Sequence, residues 1–175
     1  MKKFKLTSEF IVDISGVKLF RIKALIEFGN VKAGDLGGYI EKEENLSHMG
    51  NAWVSGNARV SSNARVSGDA QVFGDARVSG NAQVFGDARV SGDKDYAYAH
   101  GFGSCNRTTT FFRLKDGDVG VRCGCFYGTL AQFRDNVCET HGETKKAQEY
   151  LMLADLMELR FEEDENEVGN RKYVE

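Results

Sequence analysis

The sequence has 175 residues, of which 41% are apolar and 28% are charged, as is typical of a folded globular chain. No apolar run approaches the ~18 residues of a membrane span, and the N-terminus lacks the apolar block of a secretory signal, so we expect a cytoplasmic location. A net charge of −3 argues against a nucleic-acid partner, because phosphate contacts require a basic field.

Residues 1–49 are predicted to form an N-terminal cap. Apolar residues in 4–6 and 10–14 precede the turn dipeptide Ser15-Gly16, and an alternating segment follows at 17–22, which predicts a β-hairpin. The glycine-rich segment 34–40 then predicts an irregular first coil that leads into a repeat. It lacks the lysine and the helix start of a phosphate-binding loop.

A six-residue repeat begins at Gly50 and dominates the middle of the chain. Seven hexads follow one another without insertion: GNAWVS, GNARVS, SNARVS, GDAQVF, GDARVS, GNAQVF and GDARVS. The alanine and the valine of each hexad are two residues apart, so an extended strand places both on one face. Gly-Asn and Gly-Asp are turn dipeptides and predict a corner after each strand.

Three hexads of this kind close a triangular coil of about 18 residues, with coils stacked at the ~4.8 Å spacing of hydrogen-bonded strands. We therefore predict a mainly β fold with a parallel β-solenoid over residues 50–98, which we call the prism. Its interior of valine and alanine is thin, so we expect the flanking sequences to act as terminal caps.

Residues eighteen apart are predicted to stack on one side of the prism, so that Arg59 lies under Arg77. Phe73 and Phe85 occupy outward positions that other hexads fill with serine, and exposed aromatic residues favour contact surfaces. The candidate binding residues on the prism are Phe73, Phe85, Arg59, Arg77 and Arg89.

Residues 99–161 are predicted to form a C-terminal ββαα module. Two β segments, 108–114 and 119–123, flank Asp116-Gly117, a strong hairpin signal. Thr129 is a favoured N-cap for a helix through about Cys138, and a second helix is predicted over about 143–161. Its buried stripe is predicted to contain Ala147, Tyr150, Leu151, Ala154, Leu156, Met157 and Phe161.

Two segments of this C-terminal part have no regular pattern. The polar connector before the first predicted strand contains Asn106 and Arg107, and its residues alone do not identify a binding site. The acidic stretch 162–175 is predicted to be a flexible tail, because blocks of like charge repel one another.

The four cysteines leave two interpretations open, because disulfides are rare in the cytoplasm. Cys123 and Cys125 could combine with Cys138 and His141 as the four ligands of a structural zinc site. Alternatively, Cys123 and Cys125 are small core residues, which we favour because free cysteine is among the most buried residue types. No other cofactor is expected.

Several segments resemble known proteins. The hexads resemble those of left-handed parallel β-helices. Lys-Leu-Thr…Phe-Gly-Asn-Val…Gly-Asp-Leu-Gly-Gly-Tyr-Ile before the repeat, and Thr-Thr-Phe-Phe…Cys-Gly-Cys-Phe…Thr-His-Gly after it, resemble phage and prophage proteins of Gram-positive bacteria. The first resemblance implies a left-handed prism. The second implies a mobile-element setting without an established activity, and it alone supports Asn106 and Arg107 as further candidate binding residues.

We therefore expect a non-enzymatic phage accessory protein that binds a bacterial host protein, with a defence component as the class of partner that the setting suggests. The alternative is a hexapeptide-repeat acyltransferase or a small-ligand-binding solenoid that works at a groove between subunits. That chemistry commonly needs a histidine base, and His48, His100 and His141 all lie outside the uninterrupted repeat. A homo-oligomer, either a dimer or a trimer, is expected in both cases.

Overall fold

A computed structural model describes residues 1–162 of the chain. In sequence order these residues form an N-terminal cap, the prism and a C-terminal module. The predicted acidic tail lies outside the described residues, apart from Glu162.

The cap contains the predicted hairpin, since β1 (Phe4–Val12) and β2 (Lys18–Ala24) pair antiparallel. The segment predicted as an irregular coil is instead a strand, β3 (Leu36–Ile40), which pairs antiparallel with β2 and parallel with the prism. Gly37 and Gly38 permit this because a Cβ at either position would overlap backbone of the first prism coil. Glycine here marks a close approach of strands and not irregularity.

The prism consists of seven two-residue strands, β4 to β10, at the predicted spacing. Strands three hexads apart pair in parallel and build three faces, in the orders β4-β7-β10, β3-β5-β8 and β6-β9. The strands are β4 (Trp53–Val54), β5 (Arg59–Val60), β6 (Arg65–Val66), β7 (Gln71–Val72), β8 (Arg77–Val78), β9 (Gln83–Val84) and β10 (Arg89–Val90).

The interior of the prism is the predicted one. Every repeat valine and alanine is at most 1% exposed, which confirms that both face inwards. The first residue of each of the seven hexads turns the corner with positive φ, and even Ser62, which replaces the usual glycine, has φ 59°. Close stacking adds to the need for glycine, since a Cβ on Gly50 would overlap the backbone of Gly68 in the next coil.

Outside the two-residue strands, the hydrogen bonds between coils run from N–H groups of one coil to carbonyl groups of the next, so mainly carbonyl groups remain to be covered at the first coil and mainly N–H groups at the last. At the N-terminal end, β3 covers one face by donating from Tyr39 N–H to Ala58 O at 2.9 Å. The ammonium group of Lys3 covers a second face with bonds of 2.8 Å to Ala52 O and 3.3 Å to Gly50 O. The third face is covered by the side-chain amide of Asn45.

Asn45 lies at the end of a 3₁₀ turn, Glu43–Asn45, and is fully buried. Its amide donates to Ala64 O at 2.8 Å and to Ser62 O at 3.1 Å. Lys3 and Asn45 therefore act as donor caps of the first coil.

The C-terminal end of the prism is covered by acceptors. Arg77 N–H donates to the carboxylate of Asp93 at 2.9 Å, within a second 3₁₀ turn, Asp93–Asp95. Gln83 N–H donates to the hydroxyl of Thr110, which is fully buried, at 2.9 Å. Donors at one end and acceptors at the other therefore give hydrogen-bond partners to backbone groups whose burial without a partner would cost free energy.

The C-terminal module contains an antiparallel sheet of four strands, not two, followed by two helices. Its elements are β11 (Tyr96–Phe102), β12 (Arg107–Arg113), β13 (Val119–Cys123), β14 (Phe126–Thr129), α1 (Leu130–His141) and α2 (Lys145–Phe161). The sequence missed β11 because glycine and aromatic residues obscure its alternation. It missed β14 because the turn into it has only two residues, with Gly124 at φ 60°.

Helix α1 begins at its predicted N-cap, and α2 begins after a residue of the same type. Thr129 caps α1 through a bond from Gln132 N–H, and Thr144 caps α2 through one from Ala147 N–H. Five members of the predicted α2 stripe are buried, whereas Leu151 is half-buried. The prediction is wrong for Leu156, which is 54% exposed because it lies on the opposite side of the helix.

The sheet separates the prism from the helices, so the chain has three layers. Consecutive residues of β12 point to opposite sides: Phe112 completes the core of the prism, while Phe111 packs in the core beneath the helices. Among residues 1–162, no helix is long and apolar enough to cross a membrane.

Lys3 leads to a prediction about pH. Burial lowers the pKa of Lys3 to about 8, whereas an unfolded chain holds the proton to about pH 10.4. Between these values the unfolded state binds more protons, so this residue makes the free energy of unfolding rise with pH. A neutral amine still has two N–H donors for the two carbonyls.

Urea unfolding of wild type and Lys3→Met across pH 7 to 10.5 isolates this contribution, since the other titrating groups are common to both proteins. We expect the stability of the wild type to increase relative to that of the variant above pH 8. Parallel pH curves would contradict the buried ammonium group.

Gly86 leads to a second prediction. It turns a corner of the last coil at φ 64°, and a Cβ there would overlap the hydroxyl of Tyr127 in the C-terminal sheet. We expect Gly86→Ala to lower the free energy of unfolding by about 1–3 kcal/mol, because positive φ strains alanine and Tyr127 must move. Gly92 is the matched control, since it holds the same hexad position with space around it and no positive φ. Thermal unfolding followed by circular dichroism should show little change for Gly92→Ala.

Candidate interaction surface

The loop that joins β11 to β12 has an unusual backbone. Cys105 and Asn106 both lie in the left-handed region, at φ 57° and 47°, although neither is glycine. Conformations of this kind cost on the order of 1–3 kcal/mol each and persist only where the surroundings enforce them, often at binding sites. We call residues 102–107 the β11–β12 loop.

Helix α2 enforces this conformation from below. Gly103 N–H donates to the carboxylate of Glu149 at 2.7 Å, and Ser104 N–H donates to the hydroxyl of Tyr150 at 2.9 Å. Gly103 rests so closely on the ring of Tyr150 that a Cβ would overlap it. Burial raises the pKa of Tyr150, so its hydroxyl stays neutral at physiological pH.

The β11–β12 loop displays side chains to solvent. Phe102 is 44% exposed, and Cys105, Asn106 and Arg107 are also exposed. The guanidinium group of Arg107 lies against Gly124 of the neighbouring turn. The two candidate binding residues of this segment, Asn106 and Arg107, therefore lie together at the tip of a supported loop.

The candidate arginines of the prism occupy two different faces. Arg59 and Arg77 are neighbours in parallel strands, with Tyr39 next in the same row. Arg89 pairs in register with Gln71 on the adjacent face. Within residues 1–162 none of these three arginines forms an ion pair.

The two outward phenylalanines have different surroundings. Phe73 is 38% exposed, at the corner between those two arginine-bearing faces. Phe85 is half-buried: the ring of Tyr127 meets it edge-on at 5.0 Å, and the guanidinium group of Arg122 lies 4.8 Å from its centroid. Phe85 therefore joins the prism to its own C-terminal module.

The contact residues Arg122 and Tyr127 were missed by sequence reasoning. The signal for the contact was present, since phenylalanine replaces serine at position 85, but the sequence could not reveal that the partner is the same chain.

The residues of the predicted zinc site do not share one environment. Cys123 is buried and accepts a hydrogen bond from Thr109 at 3.2 Å, as the core interpretation predicts. Cys125 and Cys138 are exposed, so the core interpretation is wrong for Cys125, which lies in the two-residue turn after Gly124. In the described part of the chain, no three side chains of His, Cys, Asp or Glu are grouped as metal ligands would be.

Each histidine contacts another part of the chain. His48 stacks on Phe4 at 4.3 Å and accepts a bond from Lys3 N–H. His100 is hydrogen-bonded to Thr108 in the C-terminal sheet at 2.9 Å. His141 is hydrogen-bonded to Ser104 at 3.2 Å, which adds a third contact beneath the β11–β12 loop.

The prism is similar to the family described as the YdcK beta solenoid repeat, which matches residues 52–68, 70–84 and 82–93. The matched segments lie in the prism and its last turn, so they show a repeat-protein architecture for that part. No match to a curated protein was found.

The contact between Tyr150 and the β11–β12 loop can be tested by Tyr150→Phe. The variant keeps the ring beneath Gly103 but leaves Ser104 N–H without its acceptor, so we expect the Ser104 amide to exchange about tenfold faster or more. Hydrogen exchange followed by NMR measures this, and Tyr127→Phe serves as the matched control. Unchanged protection of Ser104 would show that α2 does not hold the loop in place.

Proposed function

We propose that this chain is a non-enzymatic binding protein, in which the prism sets the geometry and the C-terminal module contacts a bacterial host protein. The observation that carries the proposal is the β11–β12 loop. It keeps two non-glycine residues in a strained conformation, supported from below by Tyr150 and Glu149, and it displays Asn106 and Arg107. A strained, supported and exposed loop is preorganised for recognition.

The partner that fits this loop carries acidic and aromatic groups. Arg107 offers a planar set of donors for a carboxylate, and Phe102 offers an exposed ring beside it. Arginine and aromatic residues are the types that most often dominate the affinity of protein interfaces.

The setting that we propose is a phage or prophage of Gram-positive bacteria, with the protein acting in the host cytoplasm on a component of host defence. This part rests on the resemblance of the segments on both sides of the repeat. The separate resemblance of the hexads to those of left-handed parallel β-helices supports our proposal that the prism winds in the left-handed sense.

A transferase or small-ligand function at a subunit groove is the second candidate. One observation favours it: His48 borders a shallow depression that also contains Arg65 and Glu43 on the outside of the prism. Against it, His48 uses its Nδ1 atom to accept a bond from Lys3, within the donor cap of the first coil. The binding function is therefore better supported.

Capture experiments with the purified full-length chain test the binding function. We expect wild type to retain a specific protein from a Gram-positive host lysate and Arg107→Glu to retain at least tenfold less, because the charge reversal repels an acidic partner. Arg65→Glu is the matched control, since Arg65 is equally exposed but lies on a face of the prism.

Circular dichroism would verify that both variants fold. Equal capture by wild type and Arg107→Glu would exclude the β11–β12 loop as the binding element. If Arg65→Glu alone lost the partner, the depression beside His48 would become the better site.

A further inference from the structure

Helix α2 has a second apolar side that nothing in the described chain covers. Ala147, Tyr150, Ala154, Met157 and Phe161 pack beneath the sheet, and the opposite side carries Met152, Leu156 and Leu159. These three side chains are 70%, 54% and 68% exposed. Their spacing of four and three residues places them on one stripe of the helix. Single exposed apolar residues are common on protein surfaces, but a contiguous row of them is typical of an interaction surface.

The charges of α2 indicate what covers the stripe. Lys145 and Lys146 occupy the first turn without any acidic residue, although the helix dipole already makes this end positive. Glu162 follows the last turn, where the dipole is negative and where the sequence becomes acidic. Arg160 in the last turn suits the dipole, and its guanidinium group donates to Asp93 O and Tyr96 O of the same chain. The first turn is therefore charged unfavourably in an isolated helix.

An antiparallel copy of the same helix would supply acidic groups to the basic first turn. It would place the basic start of one α2 beside the acidic end of the other, and it would lay the two apolar stripes against each other. Two-fold symmetry needs only one self-complementary patch, which this stripe supplies. Lys145 lies two turns before Met152, so it continues the line of the stripe.

We propose that the chain forms a two-fold homodimer through antiparallel contact of α2 with α2 of a second copy, with Met152, Leu156 and Leu159 at the centre. The interface is smaller than the ~800 Å² per partner of standard complexes, so a dissociation constant in the micromolar range is expected. It uses a different surface from the β11–β12 loop and does not depend on the proposed binding function.

Sedimentation velocity of the full-length chain between about 1 and 200 μM tests this. We expect a concentration-dependent dimer for wild type and a shift of at least tenfold to weaker association for Leu156→Glu. Ile14→Glu is the matched control, because Ile14 is fully exposed on the distant β1–β2 turn. Lys145→Glu should weaken the dimer by a smaller factor, and 0.5 M salt should reduce the difference between Lys145→Glu and wild type.

Cross-linking tests the orientation even if a charged variant unfolds. Leu156 lies near the middle of the stripe, so Leu156→Cys in two copies should form an intermolecular disulfide above the background of the native cysteines, whereas Ile14→Cys should not. A monomer throughout the concentration range would overturn the proposal. So would a dimer that Leu156→Glu leaves intact, or a Leu156→Cys variant that cross-links no more than Ile14→Cys.

Discussion

The structure depends on one constraint, which is that the corner hydrogen bonds between coils of the prism all run from the N–H groups of one coil to the carbonyl groups of the next. Mainly carbonyl groups therefore remain to be covered at the first coil and mainly N–H groups at the last. The flanking sequences differ because they meet opposite needs: Lys3 and Asn45 supply donors at one end, and Asp93 and Thr110 supply acceptors at the other. The thin interior of valine and alanine is closed from solvent only because both ends are covered.

This constraint also explains why the C-terminal module is a sheet placed across the end of the prism. One face of the sheet carries the acceptor Thr110 and the core residue Phe112, while the other supports the helices. Phe85 and Tyr127 hold the layers together at the edge. The β11–β12 loop then extends from a base whose position the prism has already determined, so a binding surface there would have little freedom to lose on association.

The position of each strand in the repeat was predictable because every hexad has the same pattern of residue types. Alternation, corner glycines and the eighteen-residue period all agree, and strands of two residues were found at every expected place. The β3 and β11 strands were not, because glycine within a strand gives the same signal as glycine in a loop until the neighbouring backbone is known. The side of α2 on which Leu156 lies was missed for a related reason, since a helix with two apolar sides has no single stripe to find.

The candidate binding residues were also predictable only in part, because local sequence does not show which distant residues support them. Asn106 and Arg107 were candidates only through the resemblance of their segment, and the support of their loop by Tyr150 and Glu149 joins parts of the chain more than forty residues apart. The uninterrupted hexads also determine how the molecule could change in length. Duplication of eighteen residues would lengthen it by about 4.8 Å and preserve the relative orientation of its two ends. Duplication of a single hexad would instead turn one end by a third of a revolution. A change in the number of hexads therefore keeps the relative orientation of the two ends only when it adds or removes a whole coil.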